Sequence, residues 1–159
     1  MLLNNMTKNI EIVKKLVPSM FASSEPNSQI KTQYVDNMLE VFVRGVEKKY
    51  NPNANYHFLA GVFANVSASQ DGAAFFLGNS SVDGICRLSR LIPFTEHENL
   101  IRRGSVISTL KNCCFYQEAH HRLLASEELN LLPYILLPLS GPEDYSEEVF
   151  HLQSATLKG

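Results

Sequence analysis

The chain has 159 residues, 45% hydrophobic and 19% charged, with a formal net charge of −2. That composition supplies a core and excludes a disordered chain, and near-neutrality excludes bulk attraction to nucleic acid or an anionic membrane. Three cysteines, Cys86, Cys113 and Cys114, are an odd count and exclude a complete disulfide framework.

The N-terminus, Met1 to Lys15, mixes Asn, Lys and Glu with its apolar residues and carries no secretory run. The greasiest stretch, Leu131 to Leu139, holds Pro133 and Pro138 and is far shorter than a membrane span. A soluble cytoplasmic protein with reduced thiols is expected. The sequons at Asn5, Asn65 and Asn79 are then chance matches.

Taken in order, the chain reads as helices. A polar stretch, Ser23-Ser24-Glu25-Pro26-Asn27-Ser28, marks a loop insertion near residues 23–33. Val35, Met38, Leu39, Phe42, Val46 and Lys49/Tyr50 follow helical spacing up to Asn51-Pro52-Asn53. The next helix covers about Ala54 to Ser67, and a short one over Gly84 to Leu91 is closed by Pro93. A longer helix runs from about Asn99 to Phe115. It gathers Val106, Ile107, Leu110, Cys113 and Cys114 on one face, and Ser105, Ser108 and Asn112 on another. Leu131 to Leu139 reads as a short or kinked buried helix, because its prolines interrupt the backbone ladder. No stretch alternates with period two, so no strand is expected.

Self-comparison exposes a repeat. Leu3-Asn4-Asn5-Met6-Thr7, Phe63-Ala64-Asn65-Val66-Ser67 and Leu110-Lys111-Asn112-Cys113-Cys114 share one pattern. Eleven positions beyond each Asn comes another apolar residue: Leu16, Phe76 and Leu123. Asn65 and Asn112 are 47 residues apart, within the armadillo and HEAT range; Asn5 and Asn65 are 60 apart, the excess falling in the insertion. The expected fold is all-α, an armadillo/HEAT-like solenoid of about three repeats in a single domain over 1–159, with both ends reading as cut. Stacked neighbours would bury the apolar face that one unit cannot bury alone. The asparagines Asn5, Asn65 and Asn112 would form a ladder. They could line a groove that hydrogen-bonds an extended partner, or bridge the backbone of the adjacent repeat.

Three strings are similar to a known family. They are Asn51-Pro-Asn-Ala-Asn-Tyr-His-Phe-Leu-Ala60, the run from Ile101 to Phe115, and Leu132-Pro-Tyr-Ile-Leu-Leu-Pro-Leu-Ser-Gly-Pro-Glu-Asp144. They resemble the HGH-one homologue family of eukaryotic armadillo-like proteins over about Leu2 to Leu152. The resemblance implies a cytosolic chaperone cofactor that assists folding of translation elongation factor two as an adaptor to the cytosolic chaperonin. It brings no catalytic residue and no cofactor. The tail from His151 to Gly159 departs from the family's helical continuation.

Other motifs have competing readings. Cys113-Cys114 with His120-His121 suggests zinc or a Cys-His nucleophile, but adjacent helical cysteines lack ligand spacing and no orienting third group is evident, which favours packed thiols. Arg102, Arg103 and Lys111, with Arg87, Arg90 and Arg122 nearby, form either a basic strip for an acidic partner or a solvated face paired with Glu96, Glu98 and Glu118. Glu127, Glu128 and the acidic segment 143–148 could dock a basic partner or sit at helix starts. The groove candidates are therefore Asn5, Asn65, Asn112, Ser105, Ser108, Arg102, Arg103 and Lys111, on a non-catalytic protein-binding scaffold. A trafficking or assembly adaptor with another client, and a Cys-dependent enzyme, are the alternatives.

Overall fold

The computed structural model describes residues 1–21, 28–48, 50–80 and 83–139. Ser23 to Asn27, Lys49, Ser81, the acidic segment 143–148, the tail from His151 and the side chains of Leu16, Val35 and Val46 lie outside the described residues. Within them the chain is all-α, with one isolated bridge between Asn79 and Cys86. Its helices are α1 (Leu2–Thr7), α2 (Ile10–Phe21), α3 (Ser28–Arg44), α4 (His57–Ser67), α5 (Gln70–Leu77), α6 (Leu100–Cys114), α7 (His120–Ala125) and α8 (Leu131–Leu136). Short 3-10 turns occupy Gly45–Glu47, Ile92–Glu96, Gln117–Ala119 and Leu137–Leu139.

Local chemistry sets the boundaries. The α3 helix already begins at Ser28, so part of the segment expected as an insertion is helical. It gives way to a 3-10 turn at Gly45 because Lys48 takes the left-handed conformation, φ 58°. Tyr56, also left-handed at φ 53°, delays α4 from the expected Ala54 to His57. Ser69 caps α5 by accepting from Gly72 N at 3.2 Å, and Asn99 caps α6 by accepting from Arg102 N at 3.1 Å. Gly72 is obligatory in this α4–α5 corner, since a Cβ there would lie 2.0 Å from Val66 O.

The expected helix over Gly84 to Leu91 does not form. The chain turns through Gly84, at φ 74°, and runs back along the end of α5. Ser80 N donates to Ile85 O at 2.8 Å, Arg87 N to Gly78 O at 3.2 Å and Leu88 N to Phe76 O at 2.9 Å. Carbonyls at a helix end need donors, and this segment supplies them; an isolated eight-residue helix would leave them unmet and is itself marginal. Pro93 therefore opens the next 3-10 turn instead of closing a helix.

The core joins α3 to α6. Leu39 and Phe42 of α3, Phe63 of α4, Phe76 of α5, Leu88, Leu91 and Val106 are all fully buried or within 1% of it. Phe42 meets Phe63 edge-on at 5.4 Å, and Phe63 meets Phe76 at 5.7 Å. On α6, Val106, Leu110 and Cys113 are buried as the apolar face requires, whereas Ile107 is exposed. The apolar run at 131–139 differs from the expected buried helix. Leu131 is buried, but Leu132, Ile135, Leu136 and Leu139 are exposed on α8 and its 3-10 extension.

One buried ion pair ties α3 to the irregular segment. Arg87 Nε and Nη2 fork onto the Asp36 carboxylate at 2.6 and 3.0 Å, with the side chains 6% and 4% exposed. The guanidinium also lies 4.0 Å over the Phe75 ring. Removing one partner strands a desolvated charge, which costs about 3–5 kcal/mol, whereas an apolar pair of similar volume avoids that penalty. Asp36→Ala should therefore destabilise by about that amount in urea melts, and Asp36→Leu combined with Arg87→Met should recover most of it. A single substitution costing under about 1 kcal/mol would contradict the buried pairing.

Candidate functional site

Helices α1, α4 and α6 lie side by side, with α4 and α6 sharing the most extensive helix–helix interface among the described residues. Asparagine amides bridge them in one register. Asn112 Nδ2 on α6 donates to Ala64 O at 3.0 Å and Ser67 Oγ at 3.1 Å on α4. Asn65 Nδ2 on α4 donates to Asn4 O at 3.1 Å and Thr7 Oγ1 at 3.0 Å on α1. Each amide thus reaches the residue before, and the residue two after, the equivalent Asn on the preceding helix. Asn5 holds that equivalent position on α1 and is exposed. The helices come close because a small residue stands at the crossing: a Cβ on Gly61 would lie 2.3 Å from Asn4 Oδ1.

The other groove candidates part company. Ser108 Oγ turns back to Gly104 O at 2.9 Å, and the half-buried Ser105 offers its carbonyl to Thr109 Oγ1 at 3.0 Å. The expected basic strip of Arg102, Arg103 and Lys111 is not present as a strip. Arg102 is fully buried. Its guanidinium sits 3.7 Å over Phe42 and 4.4 Å over Phe94 while donating to Phe42 O and, at 3.2 Å, to Asn55 O. Burial pulls its ionisation down to about 10. Arg103 donates to His97 O at 2.9 Å, and Lys111 alone of the three is exposed. Successive helical positions are ~100° apart, so the three charges fan around α6.

Nor do the neighbouring cations pair with Glu96, Glu98 and Glu118. Arg87 takes Asp36, Arg90 takes Asp83 and Glu40, and Arg122 takes Glu128 at 3.3 Å together with Leu77 O at 2.6 Å. The acidic Glu128 is part of this internal network as well, accepting from Cys86 N at 2.6 Å.

The cysteines are packed thiols. Cys113 is fully buried, and burial pushes its ionisation up to about 12; Cys114, half-buried, is also raised by burial. Nucleophilic or metal-binding cysteine requires the thiolate, which this environment disfavours. His120 Nε2 lies 2.8 Å from Cys114 O and thus meets the backbone of that residue. No group of three His, Cys, Asp or Glu side chains among the described residues is placed to hold a metal ion.

A histidine pair escaped the sequence reading because its members are 40 residues apart. His57 at the start of α4 and His97 before α6 have ring centroids 6.0 Å apart. Both ionise below the ordinary 6.5, first through burial and then through the positive charge of Arg102; Glu98 opposes the shift. The folded chain therefore binds protons on these rings less readily than the unfolded chain. Their contribution to stability is fully present above about pH 6.5 and declines as pH falls through the lowered folded values. Urea midpoints should drop between about pH 7.5 and pH 5.5, and replacing both rings by Gln should flatten that slope. An equal slope in the double variant would remove these histidines from the linkage.

Comparison with known proteins shows the family of the chain. Residues 1–155 match the family model described as a domain of unknown function, DUF383. The chain is 40% identical over 114 residues to the protein HGH1 homolog of Schizosaccharomyces pombe, covering 72% of this chain and 32% of that protein. It is 42% identical over 115 residues to the human HGH1 homolog, covering 71% and 28%, and 39% identical over 115 residues to that of Danio rerio, covering 72% and 28%. The chain thus spans about a third or less of the length of the curated relatives it matches. With 155 residues matched by one family model and the same named relatives recurring from yeast to human, the chain belongs to the DUF383 family of HGH1 homologues.

Proposed function

We propose that this chain is part of an armadillo/HEAT-type repeat scaffold that binds a polypeptide client without catalysis or cofactor. The carrying observation is the shared register of the amide bridges from α6 to α4 and from α4 to α1. Two interfaces built on one rule are what translational stacking of a repeat requires. Both amide hydrogens of Asn65 and of Asn112 are committed to the neighbouring helix. A client's backbone N–H would therefore meet their Oδ1 atoms, and its side chains the outer face of α6.

That face is a continuous stripe. Ile101, Gly104 and Ser108 fall within about 60° of one another on the helical wheel. Ile101 is 46% exposed, and nothing lies within 4 Å of a Cβ built on Gly104. The resemblance to HGH-one homologues supports a client of one kind: translation elongation factor two, handed on with the cytosolic chaperonin, in the cytoplasm. No described helix is long and apolar enough to cross a membrane.

The test is capture of purified translation elongation factor two by this chain, measured by biolayer interferometry, with Ile101→Glu and Ser108→Arg as groove variants. Both positions face outward, so the fold should persist. Affinity should fall by roughly tenfold or more if the stripe is desolvated by the client. Unchanged affinity in both variants would move the client elsewhere. Capture of a different protein by the same stripe would keep the scaffold and replace the client.

A further inference from the structure

The α4 and α6 helices end at equivalent stations, and between their ends lies an open cavity of about 460 Å³. Ala68, Gln70 and Ala73 form one side, and Phe115, Tyr116, Gln117 and Glu118 the other. The size falls within the range of ligand-binding clefts. Ala68 and Phe115 follow the last residues of α4 and α6 and are 47 positions apart, as Asn65 and Asn112 are. The repeat therefore places a methyl on one wall and a phenyl ring on the other.

Three features give the cavity a chemical character. Phe115 is 75% exposed, and its ring stacks on no other ring among the described residues. No Lys, Arg or His among the described residues lines the cavity. Glu118 and the nearby Asp71 have no ion-pair partner among the described residues, although arginines elsewhere in the fold engage Asp36, Glu40, Asp83 and Glu128. Glu118 raises the ionisation of the Tyr116 hydroxyl, first as a hydrogen-bond partner and then through its negative charge, with burial and Asp71 contributing less, so negative charge reaches the cavity wall.

We propose that this cavity receives an arginine side chain of the polypeptide partner, its guanidinium stacked on Phe115 and forked onto Glu118, with the Gln70 and Gln117 amides accepting the remaining N–H groups. An exposed aromatic face beside an uncompensated carboxylate is the surface on which a planar cation outcompetes water. Lysine would supply the charge without the stack or the fork. The site is continuous with the proposed groove, because Phe115 remains in the right-handed helical conformation, φ −77° and ψ −10°, and so shares the wheel face of Ile101, Gly104 and Ser108. Its charge is opposite to that of the basic strip which Arg102, Arg103 and Lys111 offered in the sequence as one of two readings.

The inference rests on the polypeptide-binding reading, and its test is separable from it. Titrate the 15N-labelled chain with acetyl-Gly-Ser-Arg-Ser-Gly-amide, with the citrulline peptide, and with the glutamate peptide. The arginine peptide should shift the amides of Ala68 to Ala73 and Phe115 to Glu118, and citrulline should bind at least about fivefold more weakly. Phe115→Ala and Glu118→Gln should each weaken the arginine peptide by about two- to fivefold. Their thermal melts should match the parent, since both side chains are exposed. Equal binding of citrulline, preferred binding of the glutamate peptide, or shifts confined to other residues would overturn the proposal. If these amides stay still while the groove variants still impair client capture, the arginine site falls and the scaffold stands.

Discussion

A primary amide carries two N–H donors in a fixed fork, and here that fork sets how one helix lies on the next. With one hydrogen on a backbone carbonyl and the other on a hydroxyl three residues on, Asn65 and Asn112 fix the axial register of their helices as well as their separation. Each bond contributes about 1 kcal/mol net, but leaving a buried amide unmatched costs more, so slipped registers are penalised. The hydroxyls are themselves anchored: Ser67 Oγ donates to Ala64 O at 3.0 Å and Thr7 Oγ1 to Leu3 O at 3.0 Å. Once α6 is set on α4 in this way, its N-terminal turn delivers Arg102 to Phe42 O and Asn55 O. Its last turn, by the same register, brings Phe115 opposite Ala68.

Half of the protein's six arginines tie distant parts of the fold together. Arg87 is held by a carboxylate, Arg102 by two carbonyls and two aromatic faces, and Arg122 by a carbonyl, an amide oxygen and a carboxylate. Each joins parts of the chain that are distant in sequence: Arg87 ties the irregular segment to α3, Arg102 ties α6 to α3 and Asn55, and Arg122 ties α7 to the end of α5. Guanidinium suits this task because its planar fork stacks on rings while donating in several directions. A consequence for recognition is that the outer face of α6 offers apolar and small residues with Lys111 as its charge, while Glu118, without an ion-pair partner among the described residues, lies near its end.

How much of this was legible in the sequence depends on whether the signal was local. The asparagine pattern and the long helix through Leu110 were readable because period and spacing are properties of adjacent residues. Asn112 reaches Ala64 and Ser67, which flank the Asn65 that stands 47 positions before it. Arg102 was misread as surface because its burial depends on Phe42 and Asn55, which are distant in sequence, and on Phe94 of the preceding 3-10 turn. Gly84 to Leu91 was misread as helix because its carbonyl partners belong to the end of α5. The His57–His97 pair and the Phe115 cavity share that cause: each is made by two elements meeting, and neither element announces the other.

The account turns on the two bridging amides, and their side-chain hydrogens report on them directly. Hydrogen exchange at Nδ2 can be followed by NMR for Asn5, Asn65 and Asn112 in the same sample. The Asn65 and Asn112 side-chain amides should exchange at least about tenfold more slowly than that of exposed Asn5, with cross-relaxation from Asn112 to Ser67 and from Asn65 to Thr7. Exchange of all three at one solvent-like rate would mean that the helices are not held by these bonds, and the common register would lose its physical basis.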